Sequence, residues 1–198
     1  MLVILTVGLV TPGPDMMIVL KNSLGGRARG MATVAGIALG LGLQTALLAV
    51  AFTLLAEHTA AIASALRWAG ACVLVWIGVR ALLAKPALAE GVARGGAGAA
   101  TTGPAFVEGL LCNLTNPKAF LFFTGVFSQL IGPASPRWLA VALPAIITAH
   151  GALCWGAFSM VVQSGGVAGR LQRAQGVLVR VFGALLVLFG LGLVLWRH

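Results

Sequence analysis

Charge is what this chain has least of: 9% of its 198 residues are charged, thirteen Lys and Arg against four Asp and Glu. A soluble domain of this length needs a charged surface, and so few residues cannot cover one. Cysteine is also scarce. Cys72, Cys112 and Cys154 fall singly on separate apolar stretches, which excludes a transmembrane thiol relay and leaves each as a small apolar residue. The three histidines, His58, His150 and His198, are scattered without the spacing of a transition-metal site. There is no G-x-x-x-x-G-K-[ST] stretch and no H-E-x-x-H. Nor is any loop long enough to fold a nucleotide-binding domain, so neither an ATP-driven pump nor an intramembrane enzyme is expected, and no cofactor. The net charge of +9 comes without a basic stripe interleaved by aromatics. It reads as contact with anionic lipid heads and not as a nucleic-acid surface.

What is present is apolar sequence: 60% of the residues are hydrophobic and the mean hydropathy is +1.03. The fold class this predicts is all-α, a polytopic membrane protein of six transmembrane helices. The clearest span, Gly30 to Ala56, is free of charge and long enough to cross ~30 Å of hydrocarbon at ~1.5 Å per residue. The others are Leu2 to Leu20, Ile62 to Leu83, Phe106 to Ile131, Trp138 to Val162 and Val177 to Trp196. The first lacks the basic flank and cleavage site of a signal peptide, and its shortness leaves an upstream start open. Lys21, Arg27, Arg29, Arg80, Lys85, Arg94, Arg170, Arg173 and Arg180 fall on one side, against Arg67, Arg137 and Arg197 on the other. The positive-inside rule then puts both termini outside.

Residues 84–104, rich in Gly and Ala, read as a flexible cytoplasmic linker between two halves, 1–83 and 105–198, of three spans each. An odd number of spans inserts two related halves in opposite senses, the inverted repeat of secondary transporters. Each half opens on an interrupted helix. In "TPGPDMMIVL" the break is Pro12-Gly13-Pro14 and the charge is Asp15; in "NLTNPKAFLFF" the break is Asn116-Pro117 and the charge is Lys118. A proline inside a span frees carbonyls before it and amides after it. Such ends attract cations and anions respectively, a pairing that suits a zwitterion. A charge at mid-membrane costs ~2.5 to 3.5 kcal/mol, so Asp15 and Lys118 each need a partner or a wet cavity. The expectation is a site for a small polar solute. The competing reading is that Asp15 caps its half-helix, or pairs permanently with Lys118.

These residues resemble the LysE/RhtB family of amino-acid exporters. The resemblance rests on "TPGPDMMIVL" with the following "GGRARGMATVAGIALG", similar to the family's PGP turn, its Gly-Arg-rich cytoplasmic loop and its glycine-striped second helix. It rests equally on "NLTNPKAFLFF", similar to the family's Asn-Pro-Lys signature. A departure is the short stretch before the PGP turn. The resemblance implies export of amino acids or related metabolites across a bacterial cytoplasmic (inner) membrane, driven by protons. Asp15 is then expected to bind the proton or an ammonium group. Lys118 and the amides opening its half-helix are expected to bind the substrate carboxylate. Other solutes or cations on the same fold, and a non-transporting scaffold, are the alternatives; a scaffold would not explain two charges beside two helix breaks.

Further candidates carry two readings each. His150 is a proton relay or a hydrogen-bonded packing histidine. Asn113 and Asn116 bind substrate, or Asn116 is simply the N-cap of the half-helix behind it. Gln44 and Thr45 face a cavity or bond to another helix. Ala32, Gly36 and Gly40 place small side chains on one helix face and read as a close packing surface. Glu108 and Glu57 read as interface residues. Monomer and homo-oligomer both remain open.

Overall fold

The computed structural model describes residues 5–6, 8–9, 13–56, 60–83, 101–132 and 134–164, with 177, 180–181, 183–188 and 190–192 near the end. Among the described residues the regular structure is entirely helical. Six helices are bounded: α1 (Pro14–Leu24), α2 (Arg27–Ala56), α3 (Ala60–Leu83), α4 (Thr102–Leu114), α5 (Pro117–Leu130) and α6 (Leu139–Gln163). Residues 5–6, 8–9, 183–188 and 190–192 are helical as well. Pro12, Glu57, His58, Lys85, Arg94, Arg170, Arg173, Arg197, His198, most of the 84–104 linker and the far end of the last expected span lie outside the described residues.

Helices α2 and α6 are each long and apolar enough to cross a membrane. Their 30 and 25 residues span about 45 and 37 Å at ~1.5 Å per residue. The expected span from Phe106 to Ile131 is two helices, α4 and α5, separated at Thr115 and Asn116. Proline explains the position of the break, since Pro117 has no amide to donate and is tolerated only in the first turn of a new helix. Pro14 opens α1 in the same way. The Gly-Arg-rich stretch is not a loop of any length. Gly25 caps α1 and Gly26, at φ +123°, turns the chain directly into α2, a backbone conformation that glycine alone adopts without strain. Arg27 and Arg29 therefore ride on the first turn of α2.

The outer surface is apolar and the interior is polar. Leu39, Leu43, Leu47, Val50 and Leu54 form an exposed ridge along α2, while Val141, Leu153 and Met160 project from α6. Inside lie Asp15, Asn22, Thr33, Gln44, Asn113, Asn116 and Ser159, all buried. In water this arrangement would leave a large unstable patch, whereas in lipid it costs nothing and keeps each polar group near a partner.

Close helix crossings set the positions of the polar groups. α2 packs chiefly against α4 and α6, and α3 against α5. At the α2–α4 crossing Gly36 lies against the Phe106 and Leu110 backbone, Gly109 against the Thr33 carbonyl, and Gly40 against the Asn113 side chain. The small-residue stripe is thus a packing face, with Gly36 and Gly40 buried and Ala32 at its half-buried edge. On the other side of the bundle Gly78 and Gly183 each abut the other's carbonyl. This second glycine contact is absent from the sequence reading, because neither glycine belongs to a repeating stripe.

Candidate functional site

The two helix breaks meet. Gly13, Asp15 and Met16 at the start of α1 share a cavity of about 30 Å³ with Asn113 of α4 and with Asn116, Lys118, Phe122 and Phe123 around the start of α5. Leu41 of α2 and Trp155 of α6 close it. Asp15 and Lys118 are each the second residue of their helix, yet helix physics treats them oppositely. The dipole favours a carboxylate at an N-terminus and opposes an ammonium. Asp15 could stand there for the helix alone, but Lys118 could not, so its position calls for an electrostatic partner in the cavity.

Asp15 supplies part of that partner without being consumed by it. The carboxylate and the ammonium feel each other's charge, but the hydrogen bond described for Asp15 comes from Asn113, whose Nδ2 donates to Asp15 Oδ2 at 3.0 Å. Asp15 Oδ1 is buried and has no hydrogen-bond partner among the described residues. The same holds for Asn113 Oδ1 and Trp155 Nε1, both on residues that line the cavity. Three residues lining one small space thus carry two acceptors and one donor without a described partner, each at a cost of about 1–3 kcal/mol if it stays unpaired.

Asn116 is an N-cap. Its Oδ1 accepts from the amides of Lys118 at 3.1 Å and Ala119 at 3.4 Å. The amides expected to hold a substrate carboxylate are therefore already occupied. Gly13, the cap of α1, offers no side chain. Replacing Asn116 by Ala should lower stability by about 1 kcal/mol, and Asn116→Ser should restore most of it, since serine caps nearly as well; thermal unfolding in detergent reads both.

The remaining candidates separate from the cavity. His150 shares a 2.9 Å hydrogen bond with Thr6 and lies 3.6 Å from the Cys154 sulfur, and it is not among the lining residues. Gln44 is buried one turn beyond Leu41 with Oε1 unpartnered among the described residues. Thr45 bonds back to the Leu41 carbonyl of its own helix at 2.6 Å. No group of three or more His, Cys, Asp or Glu suited to a metal occurs among the described residues. Trp155 was missed by sequence reasoning, although an indole in mid-span between Gly151 and Gly156 is a signal: tryptophan favours membrane interfaces, and glycines beside it clear space.

A second polar cluster joins four of these helices, α1, α2, α4 and α6, toward one end. Glu108 Oε2 accepts from Lys21 Nζ at 3.2 Å and from Asn22 Nδ2 at 3.0 Å. Asn22 also donates to Thr33 Oγ1 at 2.9 Å and accepts from Arg29 Nη2 at 3.1 Å. Ser23 and Ser159 share a 2.8 Å bond, and Gln163 donates to Ser159.

Comparison with known proteins agrees with this architecture. The family model for LysE type translocators matches residues 6–196. The homoserine/homoserine lactone efflux protein of Salmonella typhimurium is 28% identical over 96% of this chain and 91% of its own length. The threonine efflux protein of Escherichia coli K12 is 31% identical over 69% of each chain, and the leucine efflux protein of Salmonella choleraesuis is 31% identical over 65% of this chain and 60% of its own. No solved structure matches. A family match over nearly the whole length, on a bundle with an apolar exterior and two interrupted helices meeting at its polar centre, establishes that this chain is a membrane protein of the LysE type translocator family, a transporter and not an enzyme.

Proposed function

We propose that this protein exports neutral amino acids, or closely related zwitterions, from the bacterial cytoplasm across the inner membrane in exchange for protons. One observation carries the reading: Asp15, Asn113 and Trp155, each with a buried polar side-chain atom unpartnered among the described residues, line one cavity together with Lys118. The two acceptors suit an ammonium group, while Lys118 and the indole N–H suit a carboxylate. Apart from Asn116 the rest of the lining, with Leu9, Met16, Leu41, Phe122 and Phe123 its largest members, is apolar and favours an uncharged side chain. The relatives named for homoserine, threonine and leucine efflux support the same class of solute.

At about 30 Å³ the cavity has room on the order of one water molecule, so an amino acid fits only when the helices around it part. Asp15 is the group that exchanges its ammonium partner for a proton, and one elementary charge moving down ~100 mV supplies ~2.3 kcal/mol.

In this proposal the chain has six spans in two inverted halves, both termini outside, with the 84–104 linker between them. One feature supports the repeat: Pro14 and Pro117 open α1 and α5 alike. The test is the extracellular metabolite profile of cells with and without expression. One or more neutral amino acids should rise in the medium, and a proton uncoupler should abolish the rise; an unchanged profile under amino-acid overload contradicts export.

A further inference from the structure

Four of the helices that line the Asp15 cavity also contribute to the polar cluster around Asn22. On α1 the pair is Asp15 and Asn22, on α2 Leu41 and Thr33, on α4 Asn113 and Glu108, on α6 Trp155 and Ser159. Along each helix the two positions are roughly 6–12 Å apart at ~1.5 Å per residue. The cluster is therefore a second layer stacked on the cavity, at the end of the bundle that carries Lys21, Arg27 and Arg29.

Its construction is that of a latch rather than of a solute site. Asn22 and Thr33 are wholly buried, and Asn22 uses both ends of its amide to tie α1 to α2 and α4. Thr33 Oγ1 lies 3.2 Å from the Ala105 carbonyl and 3.0 Å from that of Arg29, so α2 is held to α4 a second time. Ser23 and Ser159 tie α1 to α6, and Gly30 leaves the room for them. The Lys21–Glu108 ion pair on top is about two-fifths exposed on both sides and by itself contributes little. The strength lies in the buried amide and hydroxyl bonds, which are costly to leave unmade in a medium without water. Opening between α1 and either neighbour breaks several of them together, which makes the closure two-state.

We propose that the Asn22–Thr33–Glu108–Ser23–Ser159 cluster is the gate on the Lys21 side of the transporter, and that it must open for a solute to reach the cavity from that side. The positive-inside reading makes this the cytoplasmic gate. The proposal rests on the Asp15 cavity being where the solute stops. Asn22 and Glu108 are positioning residues that control access and touch no solute.

The gate can be tested without any solute. In full-length protein with Cys72, Cys112 and Cys154 replaced by Ala, a cysteine is introduced on the cavity wall by Ala119→Cys and labelled in sealed membrane vesicles. The probe is a membrane-impermeant methanethiosulfonate, added from the Lys21 side or from the opposite side. With the cluster intact, labelling from the Lys21 side should be slow. Asn22→Ala should accelerate it about tenfold, the effect of weakening a closed state by one buried polar contact. Glu108→Ala, at a half-exposed position, should give a smaller acceleration in a protein that folds normally. Wild-type rates in both variants would overturn the gate, and so would an equal acceleration from the two sides, which would mean general loosening. If the rates change as expected while no amino acid is exported, the gate stands and the solute assignment falls.

Discussion

Asp15→Asn should reduce efflux by roughly a hundredfold or more while leaving the protein as well folded as the parent. The substitution keeps size and shape, and the new amide oxygen can still accept from Asn113 as Asp15 Oδ2 does now at 3.0 Å. Only the charge is lost. Removing one partner of a buried ionic contact costs about 3–5 kcal/mol, which at ~1.4 kcal/mol per factor of ten exceeds a hundredfold in affinity for the ammonium group. Stability should change little, because Asn removes a buried charge with one oxygen unpartnered but also takes from Lys118 part of its electrostatic partner. A large loss of transport with little loss of stability separates a functional role from one in the helix. If Asp15 served only the α1 dipole from the second helical position behind the Gly13 cap, Asn would cost about 0.3–1 kcal/mol of stability and transport would survive. Release of labelled threonine from preloaded cells, normalised to protein in the membrane, reads the first effect, and thermal unfolding in detergent reads the second.

Gly36→Leu should have the largest effect on folding. A Cβ at this position runs into the Phe106 carbonyl and the Leu110 amide, and backbone in a helix cannot swing aside as a side chain can. Overpacking typically costs about 1–3 kcal/mol, and more where the obstacle is rigid. Most of the folded, monodisperse protein should be lost. Gly36→Ala should show the same defect in milder form, whereas Gly132→Ala, where an added Cβ meets nothing, should behave as the parent. Size-exclusion profiles of detergent extracts distinguish these outcomes. Because the α2–α4 crossing also holds Asn113 beside Asp15, any surviving Gly36 variant should transport poorly.

The parts of this site that show in the sequence are those where local chemistry conflicts with its surroundings. Two prolines and two charges in apolar runs mark the breaks at Pro14 and Pro117, and the four-residue spacing of Gly36 and Gly40 marks a packing face. Each is a local signal with a direct physical cost, so it can be read without knowing what lies opposite. Trp155 and the gate are different in kind. An indole in an apolar helix looks like any other large apolar side chain until the fold sets it on a cavity wall with its N–H unpartnered among the described residues. Asn22, Thr33, Glu108 and Ser159 are ordinary polar residues, and Glu108 reads from sequence as an interface residue. Their meaning comes from helix rotations that bring together positions as far apart as Ser23 and Ser159. Asn116 shows a further limit: both the cap and the substrate ligand are compatible with its position before Pro117, and only the fold shows Oδ1 capping the Lys118 and Ala119 amides on a residue that also lines the cavity. The expected Gly-Arg loop turns out to be a two-residue turn because Gly26 adopts a backbone angle that its sequence permits but does not announce.

The central claim is that one cavity reads both ends of a zwitterion, Asp15 the ammonium and Lys118 the carboxylate. The most direct measurement is counterflow of labelled threonine into proteoliposomes holding purified protein, competed by unlabelled threonine, by its analogue without the amino group and by its analogue without the carboxylate. In the parent protein threonine alone should compete strongly. In Lys118→Met, threonine should lose its advantage over the analogue without the carboxylate. Equal competition by all three compounds in the parent protein would contradict a site built around Asp15 and Lys118.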